Sequence, residues 1–282
     1  MKFYQLDNDT KKYIKRLNYN GIKTPSDITS VDQFIRGLKD LGIYGNMIEA
    51  WFFRKNHNAG SGNIVYSFRD SFHNGTINNI STAAWNDRGL VCTANATNAL
   101  SNHINGNMRP NILPTTSMFS VFMSTVAGME NFTNGFNYAF SLSMNQYNSS
   151  SSGSSLSNTT FGSNGTNWGA SFGNNNNAGT IQGNTLFKMI KGSLTPSSVL
   201  VESRNSSLTL TSASTSNTIG LLNYDRFIFG GRWNTFVESS NGNYGVGFHG
   251  TQIFHCFFDI NVNFTSFESL FKSTIGKGIA LP

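Results

Sequence analysis

Phe254-His-Cys-Phe-Phe-Asp-Ile-Asn-Val-Asn-Phe264 sets apolar side chains at 254, 256, 258, 260, 262 and 264, every second position. A strand turns successive side chains to opposite faces, so this spacing gives one face to a core and the other to solvent. It predicts Cys256 inside and His255, Asp259, Asn261 and Asn263 outside. The same period returns upstream. Tyr138, Phe140, Leu142 and Met144 alternate with small residues, Phe119, Val121 and Met123 with Ser and Phe, and Leu208 and Leu210 with Thr. Asn-Gly, which favours tight hairpins, recurs at 74–75, 105–106, 134–135, 164–165 and 241–242. Many strands with no helices between them predict a mainly β chain, folded as an antiparallel sandwich or barrel.

Both flanks of this region read as helical. Tyr13, Ile14 and Leu17 share one face of a helix over 7–18, with Asp7 or Asp9 as its cap. Ser30 and Gln33 form a capping box ahead of Val31, Phe34, Ile35, Leu38 and Leu41, and Gly42 stops that helix. Residues 47–53 lead into the β region. Thr265-Ser-Phe-Glu268 is a second capping box, opening a short C-terminal helix with Phe267, Leu270, Phe271 and Ile275 as its apolar set. The expected division is a helical N-terminal module at 1–56 and a sandwich at 57–282. Residues 145–184 are nearly all Ser, Asn, Gly and Thr, the composition of a linker. Phe161, Trp168 and Phe172 punctuate the stretch and favour long hairpin loops instead.

Composition excludes several functions. Only 12% of the 282 residues are charged, while Asn, Ser, Thr, Gly and 24 Phe fill the deficit. Residues 1–60 carry ten Lys/Arg against six Asp/Glu, and between Arg109 and Lys188 the one charged residue is Glu130. No basic stripe with interleaved aromatics marks a nucleic-acid surface, and no apolar run is long enough to span a membrane. The first residues lack the apolar core of a signal peptide. Cys92 and Cys256 sit in apolar runs and read as buried free thiols. No cofactor or metal is expected: the five histidines lack ligand spacing and read as surface or turn residues. Gly245-Val-Gly-Phe-His-Gly250 precedes a strand, so it reads as a hairpin turn and not a dinucleotide loop. The acids Asp70, Asp87, Glu130, Glu202, Asp225, Glu238 and Asp259 are scattered, with no adjacent pair of the kind a glycosidase uses. No catalytic residue is assigned. What remains is binding chemistry, in which an aromatic face and amide groups hold a sugar. The candidates are Trp168 with Asn167, Trp233 with Asn234, and Tyr244 with Asn243; each aromatic could equally cap its own loop or pack between subunits.

Ala84-Trp-Asn-Asp-Arg-Gly-Leu-Val91, residues 117–128 and residues 253–270 resemble strands of the concanavalin A-like, laminin-G-like jelly-roll superfamily. Gly37-Leu-Lys-Asp-Leu-Gly-Ile-Tyr44 and residues 47–53 resemble the lead-in to such jelly rolls in tailed-bacteriophage structural proteins. The family's paired carboxylates and clustered calcium ligands have no matching positions. The resemblance implies a non-enzymatic virion protein: a capsid decoration, head-fibre or tail-fibre adhesion subunit, assembled in the host cytoplasm. Its expected partners are other virion proteins through the N-terminal module, glycans, and copies of itself, with a trimer as the expected form. A stand-alone carbohydrate-binding lectin is the alternative, and a polysaccharide-degrading enzyme the third reading.

Overall fold

Asp7 and Asp27 each place a carboxylate ahead of a helix, where it accepts backbone N–H groups that lack an intrahelical partner. In the computed structural model, Asp7 accepts from Asp9 N at 2.9 Å and opens α1 (Asn8–Tyr19). Asp27 accepts from Ser30 N at 3.4 Å and opens α2 (Ile28–Asp40), so Ser30 is the donor of this cap and not its acceptor. Gly42, at φ 70°, follows α2 in the left-handed region that suits glycine. The structure describes residues 5–78, 84–92, 103–109, 119–127, 137–143, 159–163, 167–171, 179–182, 188–194, 198–204, 209–216, 226–230 and 250–279.

The strands follow in chain order. They begin with β1 (Met47–Phe52), β2 (Ile64–Val65), β3 (Gly75–Asn78), β4 (Ala84–Trp85), β5 (Leu90–Cys92) and β6 (His103–Asn107). Next come β7 (Phe119–Ala127), β8 (Asn137–Ser143), β9 (Thr159–Ser163), β10 (Asn167–Ser171) and β11 (Gly179–Gln182). The last are β12 (Lys188–Leu194), β13 (Ser198–Arg204), β14 (Leu210–Ser216), β15 (Arg226–Phe229) and β16 (Gly250–Phe258). Helix α3 (Phe264–Ser273) closes the chain, capped by Asn263 through Ser266 N and not by the expected Thr265. One sheet runs β14-β13-β12-β7-β16-β5-β4, with β1 also on β16; the second runs β11-β10-β9-β8-β15-β6-β3-β2. Pairing is antiparallel throughout, so the chain is a mainly β, antiparallel two-sheet sandwich with a few helices.

The helices form a third layer on the outside of the first sheet. Phe254, Cys256 and Phe258 of β16 share a core with Tyr13 and Leu17 of α1, Val31, Phe34, Ile35 and Leu38 of α2, and Phe267 and Phe271 of α3. Phe34 is the hinge of this cluster, edge-on to Phe254 at 5.2 Å and to Phe267 at 5.7 Å. Edge-to-face pairs of this kind add about 0.5–1.5 kcal/mol beyond area burial. The helices of residues 1–56 thus share a core with β16 and α3. The strand that follows them, β1, is a full member of the first sheet, pairing Ala50 with Cys256 and Phe52 with Phe254.

His255 corrects the expectation of an exposed second face. It is 0% exposed, because the other side of β16 turns toward the second sheet. There His255 packs on Phe53 at 5.3 Å and Phe229 at 4.4 Å, and Gln252 Oε1 lies 2.7 Å from its Nε2. Asp259, Asn261 and Asn263 are exposed as expected, since they follow the strand's end. Asn105-Gly106 also departs from expectation: it lies inside β6 and makes no hairpin. A β-carbon at 106 would collide with the Phe227 ring, so close packing, not a turn, calls for glycine here. Residues 159–182 hold the antiparallel strands β9, β10 and β11 where hairpin loops were expected. Both cysteines are buried free thiols, and burial pushes Cys92 up to about 12.

Candidate functional site

Of the six residues expected to hold a glycan, Asn167 opens β10 and Trp168 follows, paired with Ser163 of β9 and Ile181 of β11. Both belong to a strand and not to a loop. Trp233, Asn234, Asn243 and Tyr244 lie outside the described residues, as do residues 245–249 of the glycine motif.

A different constellation is brought together around Glu49. The bulge between Met47 and Glu49 turns this carboxylate to the side facing the second sheet, where it is fully buried. A buried carboxylate is tolerable only when its oxygens are bonded. Oε1 accepts from Ala50 N at 3.0 Å and Arg69 N at 2.6 Å. Oε2 accepts from Asp70 N at 3.0 Å and lies 2.8 Å from His73 Nδ1. The other ring nitrogen of His73 accepts the Arg109 N–H at 3.2 Å, so these two partners require the proton on Nδ1. The Trp51 indole N–H donates to the His73 carbonyl at 2.8 Å, fixing the same turn from below.

Above this base lies a small surface group. Asp70 Oδ2 accepts from Arg109 Nε at 2.5 Å, and Oδ1 accepts from Phe72 N at 3.0 Å. The hydrogen bond from Arg109 holds the Asp70 carboxyl below the usual range. The Arg109 guanidinium lies 4.9 Å from the centre of the Phe72 ring, which is 44% exposed. The guanidinium thus lies over one face of the partly exposed Phe72 ring while its Nε bonds the Asp70 carboxylate. Sequence reasoning missed this group because Glu49, Asp70–His73 and Arg109 come from three separate stretches. The one local signal was Asp70 ahead of a turn.

The histidines were expected at the surface or in turns: His57 and His73 do lie in turns but are 1% exposed, and His255, in β16, is 0% exposed. His57 Nε2 lies 3.0 Å from Asp27 Oδ2. That contact lowers Asp27, whereas burial pushes His57 below its ordinary value. His103 opens β6 and His249 lies outside the described residues. Among the described residues no group of three His, Cys, Asp or Glu could hold a metal ion, and no helix is long and apolar enough to cross a membrane.

Among the described residues, four acids of the β region meet bases: Asp70 as above, and Asp87, Glu202 and Glu268. Lys191 and Glu202 face each other across β12 and β13 at 2.6 Å. Burial pushes the Lys191 ammonium down and Glu202 pulls it back. Glu268 of α3 takes Arg204 at 2.5 Å and Lys272 at 2.9 Å, and Asp87 lies 3.3 Å from Lys55.

No protein-family model matches the chain, and no curated protein does. Solved structures do. Trypanosoma rangeli sialidase in complex with 2,3-difluoro-KDN aligns with a TM-score of 0.53 at 10% identity, over 82% of this chain and 33% of that one. Another structure of the Trypanosoma rangeli sialidase gives 0.52 at 9% identity, over 88% and 39%. The receptor binding domain of botulinum neurotoxin type G gives 0.51 at 11% identity, over 81% and 51%. The chain thus spans 33–51% of the length of these structures. The likeness is one of fold, an antiparallel β-sandwich.

Proposed function

We propose that the chain is a non-enzymatic binding subunit of a bacteriophage particle, a capsid decoration or fibre adhesion subunit, whose sandwich contacts glycans. One observation carries the binding half: the exposed Phe72 ring stands beside Arg109 and Asp70 on the buried Glu49–His73 base. A sugar can lay its C–H edge on such a ring while its hydroxyls donate to the carboxylate and accept from the guanidinium. Trp168 and Asn167 on β10, together with Trp233, Asn234, Asn243 and Tyr244, are proposed as further contacts. A single site of this kind binds on the order of millimolar, about −4 kcal/mol. Display of many copies raises that by roughly 10²–10⁴.

The particle half draws on the charge-poor composition and on the outer face of α1. Lys11 and Lys15 are exposed on one stripe with Tyr19, which is 91% exposed. This is the part of residues 1–56 left over from the core, and docking on other virion proteins is assigned to it. The same Phe72 platform fits a stand-alone lectin, so two measurements are needed. A glycan array probed with the wild type should light up, and Phe72→Ala should lose at least tenfold in signal; a silent array sinks the binding half. Co-sedimentation with particles separates virion subunit from free lectin. Depolymerisation of a bound polysaccharide would overturn the non-enzymatic reading.

A further inference from the structure

Sheet edges present unpaired N–H and C=O groups, and proteins usually keep them short, covered or charged. Most edges here follow that rule. β2 and β4 are two residues long, and β11 four. The outer side of β1 is covered by the following segment, with Phe68 N donating to Ala50 O at 2.8 Å and Trp51 bridging Ser67.

β14 departs from the rule. It is seven residues long, Leu-Thr-Ser-Ala-Ser-Thr-Ser, without a charge, a proline or a bulge. It pairs with β13 along its whole length, from Leu210↔Arg204 to Ser216↔Ser198. Among the described residues no strand pairs with its other edge. Leu210, Ser212 and Ser214 are exposed.

We propose that this edge is a contact between two copies of the chain, formed by antiparallel pairing of β14 with β14 about a two-fold axis at Ala213. The register then sets Ser212 opposite Ser214, Thr211 opposite Thr215 and Leu210 opposite Ser216. Charge favours a second copy as the occupant: two strands without charge meet with no like-charge repulsion, which directly opposed residues would otherwise suffer. An isologous pair also uses up the edge it joins, so the contact closes and does not propagate into a filament. A strand that matches itself in this way suits two-fold symmetry better than the trimer expected for a fibre subunit. The contact does not depend on a glycan being bound.

Sedimentation equilibrium of the full chain at tens of micromolar tests it. The wild type should be a dimer or a larger even-numbered oligomer. Ser212→Lys with Ser214→Lys sets like charges opposite each other twice and should weaken association at least tenfold. Ser212→Lys with Ser214→Glu sets opposite charges together and should restore it. Both positions are exposed, so circular dichroism should match the wild type in each variant. A monomeric or three-fold wild type, an unchanged mass in the double-lysine variant, or no recovery in the lysine–glutamate variant overturns the two-fold contact.

Discussion

The helix-clad side of the first sheet and the β9–β11 end of the second sheet are built on opposite principles. Around α1 and α2, Asp7 and Asp9 hold Lys39, Asp32 holds Arg36, and Asp27 faces His57. Beneath them interlocking phenylalanines fix each element's position. At the other end, Thr159–Ser163, Asn167–Ser171 and Gly179–Gln182 contain no formal charge and few large side chains. These strands pair in regular antiparallel register, Trp168 with Ser163 and Ile181. One end is rich in ion pairs and aromatic rings, the other is uncharged and Gly-containing, a composition that defines strand register less strongly.

Removing residues 1–46 is the harshest test of this contrast. It should abolish cooperative thermal unfolding of the remainder, because Phe254, Phe258 and Phe267 lose the layer that covers them. A truncated protein that still melts in one sharp transition would support the idea of a separable N-terminal module. Glu49→Ala comes next. It leaves His73 and three backbone N–H groups without their buried acceptor and should cost about 3–5 kcal/mol in chemical denaturation.

A pH effect follows in size. Burial lowers His57 and pushes His255 well below the ordinary imidazole value. The unfolded chain therefore takes up protons at these sites before the folded chain does. Stability should be full above about pH 6.5 and fall below it, by up to roughly 1.4 kcal/mol per pH unit for each group. Melting temperatures between pH 7.5 and 5 check this, and a flat profile would mean both rings are accessible. Asp27, lowered by His57, acts in a more acidic window: its contribution is present above its unfolded value and lost as pH falls through its folded one. The smallest effect belongs to the uncharged edge strand of the first sheet. Ser212→Ala, at an exposed position of β14, should change intrinsic stability by less than about 0.5 kcal/mol.

Periodicity made much of the fold legible. β7 and β8 lie where alternation placed them, and both N-terminal helices within a few residues of their caps; β16 takes only the first half of its alternating run, 254–258, and the rest passes through a loop into α3. His255 was misplaced because alternation reports a face, not what covers it; here helices lie on one side of β16 and the second sheet on the other. Strands β9–β11 were hidden because Ser, Thr, Asn and Gly carry no hydrophobic period, although they pair as regularly as any others. The Glu49 group was illegible for another reason. Its members are ordinary residues that only tertiary pairing brings within 3.2 Å, across 24 positions from Glu49 to His73 and 36 from His73 to Arg109.

The pairing of β1 with β16 also sets a timetable. Met47 meets Phe258 in register, and Arg54 donates to the carbonyls of Ile275 and Lys277. The aromatic cluster around Phe34 draws half its members from beyond residue 250. During synthesis α1, α2 and β1 must therefore wait, with Tyr13, Phe34 and Phe52 still uncovered, until the ribosome has passed Phe271. Contacts of such long range slow folding, and apolar surface held open over that interval is exposed to aggregation. The charge concentrated in residues 1–60, ten basic and six acidic side chains, keeps the waiting segment hydrated while its partner strand is still being made.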